Sequence, residues 1–310
     1  LLTQLTAGYD IIFIDEAQYI NNIGITVKLI VDQIPELKLF LTGSSSFELR
    51  SQIAEPMTGR TNIFHMYPMS LSEISEERNI RDFEKDIILS EMLVYGGYPG
   101  VHNSNKERKK EVLTNLLDEY LLKDLLNYDR IKKSNMLMNL VKLLAQSVGS
   151  EVSYGEISNT IGLDILTVQK YIDLLEQSFI VFTVHPYLRN IKKEIRKSRK
   201  IFFYDNGILN ALKNDFSEFS TRSDKGALFE NFMISERIKR NAKNKYRPNI
   251  YFWRSKNESE VDYIEEIDGK LFAFEFKSNE KLTEVSKVFQ KSYNATAKTI
   301  NLSNFREFLE

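Results

Sequence analysis

Cysteine is absent from all 310 residues. That excludes disulfides and any thiolate-bound metal, and it fits a reducing cytoplasm. An excess of one charge is missing too: 42 Lys and Arg against 43 Asp and Glu leave a net charge of -1. Bulk charge therefore points to neither a nucleic-acid coat protein nor a membrane-surface protein, and any nucleic-acid contact must come from local clustering. No apolar run approaches the roughly 20 residues of a membrane span, so no membrane partner is expected. No signal peptide is visible, and the first residue is Leu1 instead of methionine. The chain reads as a fragment that starts inside a domain. Its length allows two to three domains and a substantial core.

What is present is organised around Asp10-Ile11-Ile12-Phe13-Ile14-Asp15-Glu16-Ala17-Gln18. Four consecutive large apolar residues suit a strand buried on both faces of a parallel sheet. Asp15 and Glu16 then stand at its carboxyl end, where open α/β sheets bind ligands. This is the shape of a Walker B motif: Asp15 holds Mg²⁺ through its water shell, and Glu16 orients and deprotonates an attacking water. The plainer reading is a strand end with two solvated acids. Ile23, Val27, Ile30, Val31 and Ile34 have helical spacing, and Pro35 ends that helix. Leu37–Thr42 is the next strand, so the segment is a βαβ unit. Gly43-Ser44-Ser45-Ser46 closes it, with Ser44 and Ser45 as candidate sensors of the γ-phosphate, or simply as turn residues. Arg50 and Arg60 follow, and either one near a phosphate neutralises transition-state charge. Surface arginines are equally common.

Residues 68–130 read as helices, with capping-box spacing at Ser70 and Glu73 and a sharp break at Gly96-Gly97-Tyr98-Pro99-Gly100. His102 is isolated and reads as a loop residue. Residues 131–190 have the pattern of a winged helix-turn-helix: a helix from Met136, a short second helix capped by Ser153 and Glu156, a turn at Gly162, and a third helix. That third helix would present Thr167, Gln169 and Lys170 to a major groove. A protein-docking module is the alternative, because the helix also carries Asp164, Asp173 and Glu176. Residues 189–200 then hold Arg189, Lys192, Lys193, Arg196, Lys197, Arg199 and Lys200 against one acid, Glu194. The run can follow a phosphate backbone or be a solvated hairpin.

Near the other end, Asp205-Asn206-Gly207 reads as a turn after the strand Ile201–Tyr204, and Gly226–Arg240 as a helix containing Glu230. Asp268-Gly269 between two alternating segments is a strong hairpin signal. If those residues make the turn, Asp262 falls opposite Glu275, and Lys277 shares their face. Opposed carboxylates repel unless a cation lies between them. A divalent metal on Asp262 and Glu275, with Lys277 beside an activated water and Glu230 completing the ligands, is phosphodiesterase chemistry. The alternative is a structural salt bridge from Lys277 to one acid.

With these residues in hand, the chain resembles a bacterial and archaeal family of AAA-type P-loop ATPases. In that family the C-terminal part is a domain of unknown function (DUF4143) with a restriction-endonuclease-like core. The resemblance rests on Ile12–Gln18, Leu41–Ser46, Thr58-Gly59-Arg60, Tyr67–Ser70, Gly96–Pro99, Lys200–Asp205, Phe229-Glu230-Asn231, Glu260-Val261-Asp262 and Glu275-Phe276-Lys277, and it covers essentially the whole chain. It implies ATP binding and hydrolysis, with Asp15 and Glu16 in the Walker B roles, Ser44 or Ser45 as sensor and Arg60 as a finger. It also implies that Asp262, Glu275 and Lys277 match the PD-(D/E)xK nuclease pattern. The fold expected is α/β: residues 1–67 the later part of a P-loop domain with a parallel sheet, 68–130 a helical lid or linker, 131–190 a winged helix, and 191–310 the nuclease-like domain. No Gly-x-x-x-x-Gly-Lys-Ser/Thr loop occurs in these residues. The expectation is that it precedes Leu1, so that this chain alone binds ATP weakly or not at all.

The function this points to is a Mg²⁺-dependent ATPase whose nucleotide state controls a half that engages DNA, with Lys192, Lys193, Arg196 and Lys197 as candidate contacts. The alternatives are a metal-dependent nuclease and a non-catalytic module that binds DNA or a protein partner.

Overall fold

The computed structural model describes residues 8–43, 53, 57–81, 84–121, 134–188, 198–255, 259–280 and 285–309. The chain divides into two compact units, Leu1–His65 and Met66–Glu310.

The first unit is built on β1 (Ile11–Ile14), α1 (Ile23–Gln33) and β2 (Lys38–Leu41). The strands pair in parallel, from Ile11↔Lys38 to Ile14↔Leu41, so this is the expected βαβ unit. Ile14, Leu39 and Leu41 pack with Ile23, Val27 and Val31 of the helix. The other sheet face departs from the expectation of two-sided burial. Phe13 and Phe40 stack there with ring centroids 4.9 Å apart, and both are exposed. The uninterrupted apolar run suits a covered face, but among the described residues nothing covers it.

The second unit begins with α2 (Leu71–Glu77), α3 (Lys85–Tyr95), α4 (Pro99–His102) and α5 (Lys106–Asn115). Ser70 and Glu73 form the capping box that their spacing predicts. His102 is buried in the short helix instead of lying in a loop. Next come α6 (Ser134–Gln146), β3 (Glu151–Val152), α7 (Tyr154–Ile161) and α8 (Ile165–Gln177). Ser153 and Glu156 cap α7 as expected, and Gly162 ends it at φ 71°. Val168, Tyr171, Ile172, Leu174 and Leu175 are the buried face of α8.

Two strands, β4 (Val181–Pro186) and β5 (Arg199–Phe203), lead to α9 (Asn206–Lys213) and the 19-residue α10 (Lys225–Lys243). The chain ends with β6 (Asn249–Arg254), β7 (Glu260–Ile267), β8 (Lys270–Lys277), α11 (Lys287–Tyr293), β9 (Thr296–Asn301) and α12 (Phe305–Leu309). Strands β3 to β9 form one mixed sheet in the order β3-β5-β4-β6-β7-β8-β9. Strand β4 is antiparallel to β5 and parallel to β6, so one sheet takes strands from both the 131–190 and the 191–310 segments.

The Asp205-Asn206-Gly207 turn is a correction. Asp205 caps α9 by accepting a hydrogen bond from the Ile208 amide, and Gly207 lies inside that helix. A Cβ on Gly207 would stand 2.2 Å from the Tyr95 carbonyl oxygen. Close packing against α3, and not a turn, is what the glycine serves.

The C-terminal strands are covered on both faces. Tyr263, Phe274 and Phe276 pack with Phe308 of α12. Trp253, Val261, Ile264, Leu271 and Ala273 pack with Phe289 of α11. Among the described residues no helix is long and apolar enough to cross a membrane.

Candidate functional site

Two polar sites stand at strand ends, one in each unit. In the first unit, Asp15 and Thr42 directly follow the paired strands β1 and β2. The Thr42 hydroxyl donates to Asp15 Oδ1, and the Glu16 amide donates to Thr42 Oγ1 at 3.3 Å. Backbone bonds from Thr42 N to the Ile14 carbonyl (3.0 Å) and from Ala17 N to the Thr42 carbonyl (2.9 Å) lock the two strand ends together. Glu16 has a left-handed backbone at φ 48°, and the Gln18 side chain donates to its Oε2. Asp15 is exposed, and Glu16 is partly so. Sequence reasoning passed over Thr42 for the serines beyond Gly43; Ser44 and Ser45 lie outside the described residues. Arg60 pairs with Asp32 at the end of α1.

The second site lies between β5, β7, β8 and α10. The hairpin forms on Asp268 and Gly269, at φ 48° and 75°, with Ile267 opposite Lys270. Its ladder runs to Tyr263↔Phe274, one step short of Asp262 and Glu275. Glu230 reaches the same place from α10. At their centre stands Lys200, a residue that sequence reasoning counted in the basic run. Its Nζ lies 2.6 Å from Glu260, 3.1 Å from Glu230 and 4.0 Å from Asp262. The Lys200 side chain is 2% exposed. Asp262 Oδ2 also accepts from the Phe276 amide at 2.8 Å, and Lys277 Nζ donates to Glu275 at 2.8 Å.

Burial pushes the Glu230 carboxyl up to about 8, although Lys200 pulls the other way. Burial likewise raises Asp262 to about 6, against the pull of Lys200 and the Phe276 amide. Burial works against the Lys200 charge, but Glu230, Asp262 and Glu260 more than offset it and hold the ammonium above the usual lysine range. Gly149, at φ 74°, lies close beside: a Cβ there would stand 3.2 Å from Glu230 Oε2.

Among the described residues no group of three or more His, Asp or Glu side chains is arranged to hold a metal ion. Glu230, Glu260 and Asp262 converge on Lys200, and Glu275 pairs with Lys277. The hint in the sequence was Glu260, two residues before Asp262 and therefore on the same strand face.

The basic run is also smaller than its count. Besides Lys200, the Arg199 guanidinium is engaged, 3.7 Å over the Tyr154 ring. Lys192, Lys193, Arg196 and Lys197 lie outside the described residues. On α8, Gln169 and Lys170 are exposed, whereas Thr167 is tied to the helix cap through Asp164.

Glu230 sets a pH dependence. Between its ordinary value of 4.5 and its raised value of about 8, the folded chain keeps a proton that the unfolded chain has lost. The contribution of Glu230 to the stability of Met66–Glu310 therefore falls as pH rises through that window, by at most about 1.4 kcal/mol per pH unit. Glu230→Gln is expected to flatten the slope. Urea unfolding across the window measures it, and equal slopes in both proteins would remove Glu230 as the cause.

Three segments of the chain match known families. Residues 1–75 match the family model of an AAA domain. Residues 86–219 match a domain of unknown function (DUF8612), and residues 225–306 match another (DUF4143). An uncharacterized protein of Haemophilus influenzae is 27% identical over 258 residues, covering 79% of this chain and 61% of the relative. One of Mycobacterium tuberculosis is 23% identical over 271 residues, covering 86% and 58%. One of Methanocaldococcus jannaschii is 23% identical over 311 residues, covering 94% and 66%. The chain spans about three-fifths of the length of the first two. No solved structure matches significantly. An AAA-like segment and a DUF4143 segment thus stand on one chain.

Proposed function

We propose that residues 10–42 carry the magnesium- and water-handling half of an ATPase site, and that this site controls a C-terminal half that engages DNA. The observation that carries the reading is the Thr42 hydroxyl on Asp15, joining the carboxyl ends of two parallel strands. Asp15 would hold Mg²⁺ through its waters, and Thr42 fixes the orientation of that carboxylate. Bound magnesium–ATP supplies the phosphoryl group and neutralises its charge. Glu16 orients the attacking water and takes its proton, while Gln18 steadies the Glu16 carboxylate. Arg60 in a finger role requires release from Asp32.

In the full-length protein, Glu16→Gln is expected to slow ATP hydrolysis by about 10²- to 10⁴-fold, with ATP affinity little changed. An unaltered hydrolysis rate would sink the assignment.

Three features support the DNA reading: the α6–α7–α8 succession, the β4–β5 pair beside it as a wing, and the exposed Gln169 and Lys170 of α8. Lys192, Lys193, Arg196 and Lys197 add the positive charge that phosphates require. For the C-terminal half, a non-catalytic binding module is favoured over a metal-dependent nuclease. The specific reason is the lysine held among its carboxylates.

A further inference from the structure

We infer that Lys200 is the resident cation of the C-terminal site, holding Glu230, Glu260 and Asp262 together and keeping a divalent metal ion out. This deepens the non-catalytic reading of that half and stands whether or not the N-terminal segment hydrolyses ATP.

Lys200 is paired on both sides of β5, with Val184 of β4 and with Glu151 of β3, so its backbone has no freedom to withdraw. Its side chain passes over the Phe252 ring, with Nζ 5.5 Å from the centroid, and emerges among the carboxylates. Two of its contacts, 2.6 Å to Glu260 and 3.1 Å to Glu230, are hydrogen-bonding distances. A divalent ion needs carboxylate oxygens at about 2.0–2.6 Å. Nζ, 3.1 Å from Glu230 and 4.0 Å from Asp262, stands in the region where an ion would meet both.

Two further carboxylate oxygens are engaged as well. Asp262 Oδ2 takes the Phe276 amide, and Glu275 takes Lys277. An ion placed beside an undisplaced ammonium also meets its repulsion, which weakens binding by about a hundredfold or more at this range.

The test is Mn²⁺ uptake by the full chain, read from the electron paramagnetic resonance of the free ion. It is run with Asp15→Asn throughout, so that the N-terminal candidate contributes nothing. With Lys200 intact, no uptake that depends on Asp262 is expected at millimolar Mn²⁺. Lys200→Met removes the charge and ends the side chain one atom short of the Nζ position. It is expected to tighten Mn²⁺ binding by about a hundredfold, and adding Asp262→Asn should abolish the gain.

If Lys200→Met does not fold, Lys200→Gln, which removes the charge, keeps a hydrogen-bonding end and leaves every carboxylate in place, is used instead. Uptake that depends on Asp262 in the protein with Lys200 intact overturns the inference by itself. So does a folded variant without Lys200 that gains no affinity.

Discussion

Gly96→Ala is expected to lower the unfolding free energy of the Met66–Glu310 unit by about 4 kcal/mol. Two costs combine. Gly96 has φ 69° and ψ -163°, a region essentially reserved for glycine. A Cβ there would also stand 2.0 Å from Asp205 Oδ1. Asp205 has little room to yield: it is buried, accepts the Gly97 amide at 2.7 Å and caps α9 through the Ile208 amide at 3.1 Å. An alanine therefore dislodges the cap of α9 and the loop after α3 together. Gly226 is the control. It lies in α10 with nothing within 4 Å of a Cβ, so Gly226→Ala is expected to be neutral or to stabilise by up to about 1 kcal/mol. Urea midpoints measure both, and a loss under about 1 kcal/mol for Gly96→Ala contradicts the account.

Asn231→Ala is the second large effect, expected to cost about 3–5 kcal/mol. Asn231 is fully buried on α10. It accepts the Phe203 amide at 2.7 Å, donates to the Phe203 carbonyl at 3.0 Å and donates to Asn206 Oδ1 at 2.8 Å. Asn206 in turn donates to the carbonyls of Leu93 and Leu228, and Asn210 to those of Leu93 and Val94. One chain of amides thus joins the end of β5 to α3, α9 and α10. Truncating Asn231 strands three buried polar groups at once. Because Asn206 is a direct partner, Asn206→Ala and Asn231→Ala should be non-additive by more than about 0.5 kcal/mol in a double-mutant cycle. Additive losses would mean that the network is not a unit.

Local chemistry was the legible part of the sequence. Asp268-Gly269 gives its turn directly, since both residues accept positive φ. Ser70 with Glu73, and Ser153 with Glu156, announce helix starts because each pair satisfies two backbone donors within four residues. The same local logic misread Asp205-Asn206-Gly207, where packing against Tyr95 prevails over the turn preference of Asn-Gly. Lys200 was hidden for another reason. Its neighbours in sequence are basic, so it reads as solvated. Its partners Glu230, Glu260 and Asp262 arrive from distant elements once β5 lies within the sheet. Thr42 was overlooked because a threonine closing an apolar strand resembles any other β-branched residue.

The position of β4 within its sheet has a consequence for how the chain is made. Strands β4 and β5 leave the ribosome together as a hairpin, but the other edge of β4 has its partner only in β6. That partner is complete only when Arg254 has emerged. Throughout the synthesis of α9 and α10 a strand edge remains bare, and such an edge invites pairing with a foreign strand. Joining β4 to β6 is a parallel pairing across a long intervening segment, a slow kind of closure. The nascent chain is therefore most vulnerable to misassembly late, when the N-terminal segment and the helices before β4 have already been synthesised.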